Sequence, residues 1–139
     1  MQDPRINRLA ETLIDHSCRL KAGEKVIIEA FDLPEPNLVN RLVEVATERG
    51  AIPLVLWKNN SVLRSLYQGA TIESMQWAGH LEADAMKQAD AYIGVRGTAN
   101  SDELADVPPE KMELYTEHWG QPVHINLRVP GTRWVVLRY

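Results

Sequence analysis

The sequence is short of several things, and each shortage removes a class of function. Cysteine occurs once, at Cys18, so no internal disulfide can form, which fits a reducing compartment and a cytoplasmic protein. No stretch approaches the roughly 20 apolar residues that a membrane span requires. Asp3, Arg5, Arg8, Glu11 and Asp15 interrupt the N-terminal region, which leaves no apolar segment for a signal peptide. Basic residues are scattered and the formal net charge is −4, so no basic face is offered to nucleic acid. Neither a membrane nor a nucleic acid is expected as a partner.

What is present suits one globular domain. A chain of 139 residues can bury about two thirds of its unfolded surface, and 45% hydrophobic content supplies the core. Asp3 can cap a first helix and Pro4 suits its first position; Ile6, Leu9, Ala10, Leu13 and Ile14 then share one face. "KVIIEAF" reads as a central strand. Pro34 and Pro36 open a second helix with Leu38, Val39, Leu42, Val43 and Ala46 as its stripe, ended by Gly50. "IPLVLW" is the second strand, with Pro53 tolerated only near its start or on an edge. The helical pattern from Ser61 to about Ala89 is split by Gly69 and Thr71, "DAYIGVRG" is a third strand, and Met112, Tyr115 and Trp119 share a later helical face.

Helix and strand thus alternate, which predicts a three-layer, Rossmann-like α/β domain with a mostly parallel sheet of four to five strands and helices on both faces. The end of the chain departs from this order. "PVHINLRV" alternates strictly in polarity, and a Pro130-Gly131 turn then leads into "TRWVVLRY". A β-hairpin with one antiparallel strand and an extended connection both fit that pattern.

The search for chemistry returns little. In open α/β sheets ligands bind beyond the carboxyl ends of the strands. Those ends carry Asp32, then Lys58 and Asn59, then Arg96 and Gly97, then Arg138 and Tyr139, a polar set that could line a cleft or simply be solvated. A phosphate-cradling loop is missing: "FDLPEPN" has no glycine, and "GVRGTAN" lacks the Lys-Ser/Thr pair. No HExxH pair and no G-x-S-x-G elbow occur. The four histidines read as surface or edge residues, Cys18 as a small packed residue, and Glu82 with Asp84 as solvent-facing. Glu103 lies three residues after Asn100, the spacing of a cap and its reciprocal partner. The four tryptophans read as core or interface residues. No catalytic and no metal-binding residue is identified.

Three stretches in order, "RLAETLIDHSCRLKAGEKVIIEA", "ADAYIGVRGTANSDELADVPPEKM" and "TRWVVLRY", resemble the N-terminal part of the aminopeptidase T and aminopeptidase S family of leucyl aminopeptidases. The resemblance implies the N-terminal α/β domain of a longer, two-domain metallo-aminopeptidase that releases N-terminal residues from peptides. In that family a second domain holds two divalent metal ions, zinc or cobalt, which polarise the scissile carbonyl and lower the pKa of a bridging water. None of those ligand positions falls within residues 1–139, so the resemblance places no catalytic or metal residue here and makes the chain an inactive fragment ending where the rest of the enzyme would begin. Peptide would be met through the missing domain, and the parent would be a homodimer. Arg96, Asn100 and Arg138 are the candidates for facing the cleft, with salt bridges or loop hydrogen bonds inside the domain as the other reading. The rival function is a stand-alone α/β binding or interaction domain without catalysis.

Overall fold

The structure, a computed structural model, describes residues 3–97 and 103–139. Helix α1 (Pro4–Thr12) starts where Asp3 accepts a hydrogen bond from the Arg5 amide at 2.9 Å, with Pro4 in the position whose N–H is not needed. It runs on through one wider turn, Leu13–Ser17, and Gly23 at φ +83° turns the chain into strand β1 (Lys25–Phe31). Helix α2 (Asn37–Glu48), strand β2 (Ile52–Lys58), helices α3 (Asn60–Gln68) and α4 (Ile72–Gln88) and strand β3 (Ala91–Arg96) follow. Thr71 separates α3 from α4 by capping: its hydroxyl accepts from the Ser74 amide while the Ser74 hydroxyl accepts from the Thr71 amide. The chain ends in helix α5 (Pro109–Tyr115), its extension Thr116–Arg128, a last turn Val129–Gly131, and strand β4 (Arg133–Arg138).

The four strands form one sheet in the order β2-β1-β3-β4, every pair parallel. This is the predicted three-layer α/β architecture, at the lower strand count and with no antiparallel member. Register divides the side chains cleanly. Val26, Ile28, Ala30, Ala91, Ile93, Val95, Val135 and Leu137 point to one face, where they pack with α1, α2 and the buried Cys18. Ile27, Tyr92 and Phe31 point to the other, under Tyr67, Met75, Met86, Trp119 and Val123 from the opposite helical layer. Each fully buried aliphatic or aromatic side chain contributes roughly 1.5–3 kcal/mol, so the two cores together hold the layers. Burial pushes the Cys18 thiol up to about 11.

"PVHINLRV" is neither a hairpin strand nor an extended connection. Thr116–Arg128 is helical with the wider i→i+5 hydrogen-bond pattern. The alternation misleads because positions four apart satisfy both a strand face and a wide helix: Val123 is buried, Leu127 packs on the same core, and Ile125 between them is 59% exposed. Of the tryptophans only Trp119 is buried; Trp57, Trp77 and Trp134 are exposed.

This wide segment lies against α4, and the crossing is closest at Gly79. A Cβ there would be driven into the His118 carbonyl oxygen and come within 3.0 Å of Trp119 Cα. Gly79→Ala is therefore expected to lower stability by about 1–3 kcal/mol, from overpacking against backbone that cannot yield. Gly131→Ala, with nothing within 4 Å of the added carbon, should leave the thermal unfolding midpoint nearly unchanged.

Candidate functional site

The chain leaves β1 toward β2 on one side, while β3 and β4 lie on the other, so the order reverses between β1 and β3. A crevice opens beyond the carboxyl ends of strands at such a point. Asp32 sits on its rim in the left-handed region, φ +56°, which is uncommon for a residue other than glycine. Its carboxylate compensates by accepting from the Asn60 amide at 2.8 Å and from Asn60 Nδ2 at 2.6 Å, and Asn59 caps the same helix through the Ser61 amide at 2.8 Å. The start of α3 is thereby locked to the end of β1.

Between these strand ends and the helices α3 and α5 with its extension lies a cavity of about 910 Å³. Phe31, Leu63, Tyr67, Met112 and Tyr115 line one part of it, and Arg96, Arg128 and Arg138 another. Burial raises the hydroxyl pKa of both Tyr67 and Tyr115, so they present neutral, apolar-edged rings. The Arg96 guanidinium lies 4.2 Å from the centre of the Phe31 ring. Of the three candidates read from the sequence, Arg96 and Arg138 line this cavity, and Asn100 lies outside the described residues.

Below the cavity floor is a second constellation, which the sequence reading missed. Glu29, in the middle of β1, is completely buried. Its carboxylate accepts a hydrogen bond from the Tyr92 hydroxyl and lies 2.7 Å from the Lys58 ammonium. Lys58 in turn lies 2.6 Å from Glu82, whose other oxygen accepts from Trp119 Nε1 at 3.0 Å. His124 Nε2 stands 3.8 Å from Glu29, while His124 Nδ1 accepts from Arg128 Nε at 3.0 Å. Gly94, the register partner of Glu29 on β3, leaves the space that the Tyr92 ring crosses to reach it: an added Cβ would lie 3.0 Å from that ring.

The electrostatics follow from burial and pairing. Burial alone would raise the Glu29 pKa, but the Lys58 charge and hydrogen bond, with that of Tyr92, hold it below the ordinary value. Burial alone would lower the Lys58 pKa, and the two carboxylates raise it instead. Burial drives His124 down to about 4, helped by the nearby Arg128 and Lys58 charges and opposed by Glu29. The set is thus two carboxylates balanced by Lys58 and Arg128 around a neutral imidazole. His124 and Glu82, read from sequence as surface groups, are both interior; their side chains are only 16% exposed. The signal that could have found them is Glu29 itself, a lone acid inside an apolar strand, because a charge buried there must be paired from neighbouring layers.

Glu29, Glu82 and His124 offer ligand atoms within 4.8 Å of one another, the one such group among the described residues. They do not fit a divalent ion as arranged. The Lys58 ammonium already occupies the place between the carboxylates, and the bond from Arg128 makes His124 Nδ1 the acceptor, leaving the proton on the Nε2 that would face the metal. The cluster is an ion-pair network in which a lysine stands where a cation would.

The sequence model of the thermophilic metalloprotease family M29 matches residues 2–135. No curated protein matches the sequence. Among solved structures, the fold is similar to wild-type AmpT from Thermus thermophilus, with a TM-score of 0.72 at 22% identity. The match covers 98% of this chain and 36% of that one, so this chain spans about a third of the length of the structure it resembles. Among the described residues, no helix is long and apolar enough to cross a membrane.

Two outcomes test the network. Lys58→Met, which strands the buried Glu29 charge, should lower stability by roughly 3–5 kcal/mol, and adding Glu29→Gln should recover part of that loss in urea unfolding. His124 protonates near 6.5 when unfolded but only near about 4 when folded. Between those values the unfolded chain binds the extra proton, so stability falls as pH falls, by up to roughly 3 kcal/mol. His124→Gln should flatten that decline, measured as the shift in urea midpoint across this window.

Proposed function

Because the chain belongs to the thermophilic metalloprotease family M29, we propose that it is the N-terminal, non-catalytic domain of a metal-dependent aminopeptidase, an enzyme that releases N-terminal residues from peptides. The observation that carries this reading is Lys58 between Glu29 and Glu82. A metalloprotease needs an open coordination site, and here the Glu/Glu/His group is closed by an internal cation. The catalytic ions, a pair of zinc or cobalt ions, then belong to a second domain. A fold matched over 98% of this chain but 36% of a longer one supports the same division. The domain's part is to form one wall of the substrate cleft, with Arg96 and Arg138 at its rim, and to serve a homodimeric, cytoplasmic enzyme in which the buried Cys18 thiol stays reduced.

A binding domain without catalysis is the second reading, and the large cavity beside the strand ends is what favours it. Both readings predict that the isolated chain, supplied with zinc or cobalt, gives no turnover of leucyl amides or short peptides. Measurable hydrolysis that chelation abolishes would overturn the assignment of the metal site to another domain. Restoration of hydrolysis by a separately expressed companion domain would separate the first reading from the second.

A further inference from the structure

Three guanidinium groups converge where the fold would bind a ligand. Arg96 and Arg138 are register partners on adjacent strands β3 and β4, so they leave the sheet on the same side. Their backbones are about 4.8 Å apart, a spacing at which like charges repel. Arg128 reaches the same cavity from the wide helix, held between the Tyr92 and Trp134 rings at 5.1 and 4.6 Å from their centres. Its Nη1 is sealed from solvent and donates to no acceptor among the described residues.

We propose that this cavity binds a compact organic monocarboxylate that carries an aromatic or branched aliphatic group. Arg128 and Arg138, with Arg96, hold the carboxylate, and Phe31, Tyr67, Met112 and Tyr115 receive the apolar group. Guanidinium donors match a carboxylate in geometry, and in a partly enclosed site such bonds are among the strongest available. Charge selects the ligand further. Among the described residues the lining also contains Asp32 and Glu103, and the Arg128 charge already offsets the buried carboxylates, so no surplus of positive charge remains to hold a dianion. That balance suits a monoanion better than a phosphate dianion. The donors a phosphate would seek are also spent: the first amides of α3 are bonded to Asp32 and Asn59. The inference stands on this chain's own residues and is independent of where the catalytic ions lie.

The test is calorimetric titration of the whole chain with phenylacetate and with phenylacetamide, which differ in charge and little in shape. One site is expected for the acid, and at least about tenfold weaker binding for the amide, the loss that removing a charge-assisted bond implies. Arg138→Met, at an exposed position where folding is not at stake, should weaken phenylacetate by about the same factor. Arg128→Met should do so too, with its fold checked by circular dichroism. Two sources of the carboxylate are separated by comparing N-acetylphenylalanine with the tripeptide Gly-Gly-Phe. Binding of both supports the end of a peptide chain, and binding of the first alone supports a free small acid. Absence of binding at about 10 mM phenylacetate, equal binding of the amide, or unchanged affinity in Arg138→Met would each overturn the proposal.

Discussion

A carboxylate in the middle of a sheet covered on both faces cannot stay ionised unless other layers come to meet it, and Glu29 imposes that demand on everything around it. Lys58 answers from the next strand, Tyr92 from the strand on the other side, and Glu82 and Trp119 from two helices that must approach closely enough to share the lysine. The cost of failure is the desolvation of a bare charge, several kcal/mol, which exceeds the gain from any single packing contact nearby. The network therefore adds specificity more than net stability. It ties β1, β2, β3, α4 and the wide helix to one relative placement, which loose apolar packing alone would not do.

That placement explains why the helical layer over this face is irregular. The close crossing at Gly79 brings Trp119 to Glu82, and the wide helix brings His124 and Arg128 on successive turns to the floor and wall of one cavity. Arg128 belongs to both constellations. Its Nε fixes the imidazole that faces the buried acid, and its side chain also lines the cavity.

The architecture was legible because its signals are local. Continuous apolar runs such as "KVIIEAF" and "DAYIGVRG", with 3.6-residue stripes between them, dictate buried parallel strands under helices, and Thr71 starts α4 and Gly50 follows the end of α2 as their chemistry requires. The strand-end arginines were legible for the same reason, since a parallel sheet says where its loops gather. The buried network was not, because Glu82 and His124 lie 53 and 95 residues beyond Glu29, and only the closed fold turns those separations into contact. The stretch "PVHINLRV" failed differently: Val123 and Leu127 are compatible with two periods, and the partner that chooses between them is Trp119 beside Gly79, not anything in the stretch itself.

Cys18 closes the account from the opposite face of the sheet. Its sulfur is fully enclosed in the core that α1 and α2 form with the sheet, 4.0 Å from the Tyr92 carbonyl oxygen on β3, and burial keeps it as the unreactive thiol. An alkylating reagent can reach it only after those elements separate. The molecule therefore carries its own clock: the rate at which this one sulfur becomes labelled counts the excursions in which that half of the domain comes apart.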